Sequence, residues 1–172
     1  MVQLRPLVDR SVAVLLNPAS YFSEEANHLD YNEGATFAAI LGLIGAVLGV
    51  ILSGALFSTN VGSVLLITII LGPVMAVIGA AIGAAVIFGI CRFLGSRKDY
   101  GEAFSIATAA AALYPVNALL NVVPVLGGLL ALAWSWWIVT EGIVAIHGID
   151  RGSARLSFGV VYGLLALLGL AA

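Results

Sequence analysis

The chain has 172 residues, of which 62 % are hydrophobic and only 9 % are charged, against about 25 % charged residues in a typical soluble domain. Asp, Glu, Lys, Arg and His are all absent from three long stretches, residues 34–91, 103–140 and 156–172. The single core of a soluble chain of this size could not bury so much apolar sequence. The composition therefore indicates an integral membrane protein. It excludes a secreted disulfide scaffold and a disordered chain, and the balance of 7 basic to 9 acidic residues argues against a nucleic-acid partner.

The first predicted element is an amphipathic helix from Gln3 to Leu16. One side of it carries an apolar stripe at helical spacing, made of Leu4, Leu7, Val8, Val12 and Leu15. Asn17-Pro18 ends this helix, because the residue before a proline is pushed out of the α region. The stripe suits two placements, one along the membrane interface and one against the transmembrane bundle. Residues 1–33 are predicted to form a cytoplasmic N-terminal segment, with this helix in the membrane interface.

The rest of the chain predicts five transmembrane helices, since one crossing needs about 20 apolar residues. The second apolar segment would measure roughly 46 Å as a helix, so it must tilt, kink at Pro73 or project from the bilayer. Alternatively, Gly72-Pro73 divides the segment into two pieces, of which the first, residues 61–72, is too short to cross by itself. The expected fold is an all-α polytopic bundle over residues 34–172, with spans at about 35–57, 61–91, 103–123, 125–149 and 156–172.

The basic residues predict the orientation of these spans. With five crossings, the N-terminal segment and the second and fourth loops share one side of the membrane. That side then holds all seven basic residues, namely Arg5, Arg10, Arg92, Arg97, Lys98, Arg151 and Arg155. The positive-inside rule therefore favours a cell-membrane protein with a cytoplasmic N-terminus and its C-terminus outside.

Glu141 is the outstanding candidate for a functional residue, because it is an acidic residue about two turns inside the fourth span. It suits either an ion or proton site, or a structural carboxylate that reaches the cytoplasmic boundary. Asn117 and Asn121 share one face of the third span with Tyr114. These side chains predict either interhelical hydrogen bonds or a polar cavity, which together with Glu141 would form a tentative binding cluster.

Small residues spaced four apart predict close helix packing at three positions. The pairs are Gly45 with Gly49, Gly79 with Gly83, and Gly159 with Gly163. Each pair suits packing within one chain or a homodimer interface. Glu102 and His147 are expected at loops or interfaces. The sequence carries no catalytic motif and no metal-ligand spacing, so we expect no enzyme activity, cofactor or metal site.

Three stretches resemble the Yip1 family of membrane proteins. Leu15-Leu-Asn-Pro18-Ala-Ser-Tyr-Phe22 is similar to its N-terminal signature, in which an apolar pair precedes a proline and an aromatic residue. Tyr100-Gly-Glu-Ala-Phe104, followed by Tyr114-Pro115, is similar to its second loop and third span. The fourth span of the family is matched by Trp134, Trp137, Gly142 and His147.

This resemblance implies a five-span membrane protein, and for eukaryotic members a role with Rab-type GTPases in vesicle traffic. Those members carry a long N-terminal domain with an Asp-Leu-Tyr-Gly-Pro motif. This chain offers only Leu29-Asp-Tyr-Asn32 there, which argues against a Rab-type partner and favours a short, prokaryotic-type member.

Two hypotheses about function remain. The first is a non-enzymatic organising or interaction protein in the bilayer, acting as a homo-oligomer, with a membrane-protein partner or as a subunit of a larger assembly. The second is a small ion or proton channel or transporter that uses Glu141 and the Asn117/Asn121 face. A transporter usually shows paired broken helices in symmetric halves, and no such pair is visible in this sequence.

Overall fold

A computed structural model describes residues 4–24, 28–57, 61–123 and 125–171. These residues form eight α-helices and one 3₁₀ turn, and no strand occurs among them. The helices are α1 (Leu4–Leu16), α2 (Pro18–Ser23), α3 (Tyr31–Phe57), α4 (Val61–Phe93), α5 (Tyr100–Ala109), α6 (Leu113–Leu120), α7 (Leu126–His147) and α8 (Arg151–Ala171), with the 3₁₀ turn at Ala110–Ala112. Residues 58–60 and 124, which separate predicted spans, lie outside the described residues.

Five segments are long and apolar enough to cross a membrane. They are Tyr31–Ser53, Gly62–Phe93, Tyr100–Leu120, Leu126–His147 and Arg151–Leu170. The third of them consists of α5, the 3₁₀ turn and α6 in succession. The prediction of an all-α, five-span bundle is therefore confirmed.

Pro73 lies inside α4 and does not divide it. The helix runs without a break for 33 residues, which corresponds to about 50 Å and exceeds the ~30 Å hydrocarbon core of a bilayer. Proline has no N–H to donate to the carbonyl four residues earlier, here that of Ile69. Of the alternatives for this segment, division into two helices is excluded and one long helix is observed.

The third span changes its helical pitch just before Pro115. The 3₁₀ turn at Ala110–Ala112 separates α5 from α6, and Ala111 is the residue whose carbonyl Pro115 leaves without its usual donor. Both α5 and α6 pack on α3 and α7, so the third span continues through this turn.

The N-terminal helix α1 packs on the bundle with one side and leaves the other exposed. Val14 is fully buried, and Leu7 and Leu15 pack against the core beside it. The Trp134 indole N–H of α7 donates a hydrogen bond to the Leu15 carbonyl oxygen at 3.0 Å. Val8, a member of the predicted apolar stripe, is 54 % exposed. Contact with the bundle is therefore observed, and the placement of the exposed side in the membrane interface stays a prediction.

Small residues bring α3 close to both α4 and α6. A Cβ atom at Gly42 would collide with the Ala76 side chain of α4, and one at Gly72 would lie 3.1 Å from the Ala46 side chain. A Cβ atom at Gly45 would lie 2.7 Å from the backbone carbonyl of Tyr114 in α6. Without a hydrophobic driving force between helices in lipid, such backbone proximity is what holds them together.

The two ends of the bundle differ in charge. At one end α4 and α7 finish and α8 begins, as shown by the hydrogen bond of 2.9 Å between Ser96 Oγ and His147 Nδ1. We call this the basic end, because it carries Arg92, Arg151 and Arg155. At the opposite end, called the far end, α3 finishes and α4 begins.

Candidate functional site

Glu141 is buried near the basic end and forms ion pairs with two arginines of α8. Its side chain is 5 % exposed, and Oε2 accepts a hydrogen bond from Arg151 Nη2 at 2.9 Å. Oε1 lies 3.7 Å from Arg155 Nη2. Arg151 and Arg155 share one face of α8 because they are four residues apart. Both carboxylate oxygens therefore face a positive charge.

The turn between α7 and α8 brings these groups together. Gly148 ends α7 with φ of +64°, a left-handed conformation that a glycine adopts without strain. The side chain of Asp150 then accepts a hydrogen bond from the Ser153 N–H at 3.0 Å and so caps the start of α8. This hydrogen bond to the ionised form holds the pKa of the Asp150 carboxyl below its usual value. The arginines are thus delivered by a short, capped reversal.

Both arginines are only half-buried, with side-chain exposures of 53 % and 51 %. The carboxylate is thus enclosed by protein, while its partners reach water or headgroups at the basic end. This geometry neutralises the charge of Glu141 and makes the carboxylate a hydrogen-bond acceptor for α8.

Tyr114, Asn117 and Asn121 line a different part of the molecule. They form one wall of a cavity of about 550 Å³ that lies between α3, α4 and α6. Another wall is the glycine stripe of α3, made of Gly42, Gly45 and Gly49. Asn117 Oδ1 is buried and has no hydrogen-bond partner among the residues that the structure describes. We call this space the far-end cavity, since it extends to Ser53 near the end of α3.

A second cavity of about 350 Å³ lies between α4 and α8. Gly79 and Gly83 of α4 face Phe158 and Tyr162 of α8 across it. Tyr162 exchanges a hydrogen bond of 2.8 Å with Ser135 of α7 at its wall. Helix α8 packs chiefly on α7, so this space remains between α8 and α4. We call it the α4–α8 groove.

The structure does not bring the whole tentative binding cluster together. Tyr114 and Asn117 line both cavities, and Asn121 lines the far-end cavity. Glu141 lines neither of them and is bound to Arg151 and Arg155 instead. The polar face of α6 and the carboxylate of α7 are therefore two separate sites.

Glu102 and His147 have structural partners at the basic end. Glu102 lies 3.5 Å from His28 Nδ1 and 3.7 Å from Lys98 Nζ, so it connects the segment before α3 to the start of α5. His147 meets Ser96 through Nδ1, while its buried Nε2 has no hydrogen-bond partner in the described part of the chain. Within the described ranges, no three His, Cys, Asp or Glu side chains converge in a way that could hold a metal ion.

The predicted glycine positions differ in their surroundings. Gly45 contacts α6 closely, whereas a Cβ atom at Gly49 or Gly163 would have nothing within 4 Å. A Cβ atom at Gly79 would lie 4.0 Å from Tyr114 Oη, and one at Gly83 would lie 3.9 Å from the Ala107 side chain. A Cβ atom at Gly159 would be 3.8 Å from Trp136 Nε1.

Sequence reasoning missed Gly42 and Arg155. Gly42 extends the Gly45 and Gly49 stripe by one turn of α3, and this spacing was a visible signal. Arg155 lies one turn after Arg151 on the same face of α8, so a helix that places Arg151 beside Glu141 also places Arg155 near it.

Comparison with protein families identified one match. A family model described as the Yip1 domain matches residues 12–172, which is nearly the whole chain. Comparisons with curated proteins and with solved structures found no significant match. The resemblance seen in the three sequence stretches is therefore confirmed.

Proposed function

The chain belongs to the Yip1 family, and from this premise we propose that it is a non-enzymatic membrane protein that binds other transmembrane helices through the α4–α8 groove. The observation that carries the proposal is the incomplete packing of α8, which contacts α7 and leaves the space between itself and Gly79 and Gly83 of α4 unfilled. The protein would thereby organise a homo-oligomer or a larger membrane assembly.

The lining of the groove suits a helix as its occupant. Gly79 and Gly83 are one turn apart on α4, and small residues at this spacing let a second helix backbone approach closely. The Ser135 and Tyr162 hydroxyls provide hydrogen-bonding groups at the opposite wall. In lipid, close packing and interhelical hydrogen bonds are the forces that favour association.

The state of Glu141 supports this proposal over transport. A proton or cation site needs a carboxylate that can exchange its ligand along a path across the bundle. Here the carboxylate is bound by two arginines near the basic end and lies away from both cavities. We also propose, from the positive-inside rule, that the basic end faces the cytoplasm of a cell membrane.

Gly83→Leu tests the groove, with Gly89→Leu as the matched control on the same helix. A Cβ atom at Gly83 makes only an ordinary contact at 3.9 Å, and one at Gly89 meets nothing within 4 Å, so both variants should fold. When native membranes are extracted directly into nanodiscs, we expect the parent and Gly89→Leu to be found in complexes larger than one chain. In Gly83→Leu, the ratio of monomer to complex should be at least tenfold higher than in the parent.

The same measurement on purified protein reconstituted alone separates the two kinds of partner. An oligomer that persists there is a homo-oligomer, and one that is lost required another protein. A parent chain that is monomeric in native membranes would overturn the proposal. So would proton or cation flux in liposomes that Glu141→Gln abolishes, since that result favours the transporter hypothesis.

A further inference from the structure

We propose that the far-end cavity binds one acyl chain of a neutral, hydroxyl-bearing lipid from the leaflet at the far end of the bundle. This goes beyond the proposed function, because it concerns a different cavity and a lipid ligand. The cavity volume of about 550 Å³ falls within the range of small-molecule sites, which is roughly 300–1,000 Å³.

The length of the cavity matches one leaflet. On α3 its lining runs from Gly42 to Ser53, which at 1.5 Å per residue corresponds to about 16 Å along the helix. Half of a ~30 Å hydrocarbon core is about 15 Å. An extended acyl chain that enters at the far end would therefore reach the bottom of the cavity near the middle of the bilayer.

The walls suit an acyl chain because they are smooth and uncharged. On the α3 wall Gly42 and Gly45 lie close to Ala76 and Tyr114 and close the bottom of the cavity, whereas Gly49 nearer the far end leaves it open; Met75 lines the α4 wall. A Cβ atom at Gly49 would meet nothing within 4 Å, so this part of the cavity is open space. Leaving such apolar space without an occupant in a bilayer would forfeit dispersion contacts.

The polar end predicts the chemistry of the lipid. Ser53 and Asn121 lie toward the far end, and Asn117 lies one turn deeper on the same face as Asn121. Asn117 Oδ1 is a buried acceptor without a donor, which is unfavourable in a region that holds no bulk water. A hydroxyl at the glycerol level of a lipid supplies that donor. The described residues of the lining include no cationic side chain that would bind a phosphate, so a neutral lipid such as diacylglycerol fits better than an anionic phospholipid.

Photolabelling in liposomes tests the proposal. The probes are a diacylglycerol and a phosphatidylcholine with the same diazirine-bearing acyl chain, because phosphatidylcholine has no hydroxyl donor. We expect the diacylglycerol probe to label the full chain several-fold more strongly, with labelled peptides that contain Met75 or Asn117. Excess unlabelled diacylglycerol should remove this signal.

Gly49→Leu and Gly163→Leu form a matched pair, since neither glycine has a neighbour within 4 Å of its Cβ position and only Gly49 lines the cavity. Labelling should fall at least tenfold in Gly49→Leu and remain unchanged in Gly163→Leu. In Asn117→Leu the preference for diacylglycerol over phosphatidylcholine should disappear.

Equal labelling of the parent by both probes, or undiminished labelling of Gly49→Leu, would overturn the lipid site. The Gly83→Leu variant separates this outcome from the proposed function. It should lose helix association and keep its labelling, because Gly83 lies in the α4–α8 groove and not in the far-end cavity.

Discussion

Removing Arg151 should destabilise the protein more than removing the charge of Glu141. In Arg151→Ala, a carboxylate that is only 5 % exposed loses the hydrogen bond of 2.9 Å and keeps one arginine at 3.7 Å. In Glu141→Gln, the amide oxygen still accepts a hydrogen bond, and the arginines that lose their counter-charge are half-exposed. A buried charge without a partner is the more costly of the two results.

The expected magnitudes follow from these exposures. A hydrogen bond to a charged group contributes about 1.5–3 kcal/mol, and the remaining Arg155 keeps the loss below the ~3–5 kcal/mol of a fully buried pair. We therefore expect Arg151→Ala to lower the free energy of unfolding by about 2 kcal/mol. Glu141→Gln should lower it by about 0.5–1 kcal/mol, as in a solvent-exposed pair.

Equilibrium unfolding in mixed micelles would measure these differences, with the double variant completing the cycle. Arg151→Ala combined with Glu141→Gln should be more stable than Arg151→Ala alone, because the double variant has no unpaired buried charge. Arg155→Ala should fall between the parent and Arg151→Ala. Strictly additive losses, or a larger loss in Glu141→Gln than in Arg151→Ala, would refute the reasoning.

Three further predictions concern packing, topology and pH. Gly45→Ala should lower the free energy of unfolding by about 1–3 kcal/mol, because its Cβ would press on the Tyr114 backbone at 2.7 Å. Gly49→Ala should be neutral or stabilising, because its Cβ would have nothing within 4 Å. Equal losses in the two variants would contradict the packing argument. Ser153 and Val123 are both exposed, so each can be changed to cysteine in a Cys91→Ala background and labelled with an impermeant maleimide. Ser153→Cys should be labelled from the cytoplasmic side and Val123→Cys from the outside. Labelling of both from one side would exclude the proposed topology. The hydrogen bond from the Ser153 N–H lowers the pKa of Asp150 in the folded state. The ionised Asp150 therefore stabilises the fold above its unfolded pKa of about 3.9, and this stabilisation is lost as the pH falls through the folded pKa. The difference in Tm between the parent and Asp150→Asn should therefore shrink below about pH 4, and a difference that widens there would contradict this sign.

The number of membrane crossings could be predicted because apolar length and charge are properties of the sequence alone. The continuity of α4 through Pro73 could not, because a proline in a long apolar helix permits a kink, a break or neither. Bundle packing decides among these outcomes, and here the helix continues. The short helix α2 was missed for a similar reason, since Pro18 both ends α1 and starts a new helix at its first position.

The candidate site was predictable residue by residue but not as an arrangement. The residue type and depth of Glu141 predicted either an ion or proton site or a structural carboxylate at the cytoplasmic boundary, and Arg151 is the next basic residue along the chain. The sequence could not show that Asn121 lines the far-end cavity while Asn117 lines both cavities, because helix rotation is set by tertiary contacts. The close approach of Gly45 to Tyr114 sets that rotation.

The burial of α1 and α2 has a consequence for the order in which the chain folds during synthesis. The hydrogen bond from Trp134 to Leu15 joins residues 119 positions apart. Phe22 is buried where it meets Ile106 and Gly142, which belong to the third and fourth spans. This segment leaves the ribosome before the third and fourth spans and therefore waits for them before it finds its partners, and loops of this length close late. Until the fourth span is inserted, the apolar sides of α1 and α2 remain available to chaperones and to the membrane surface.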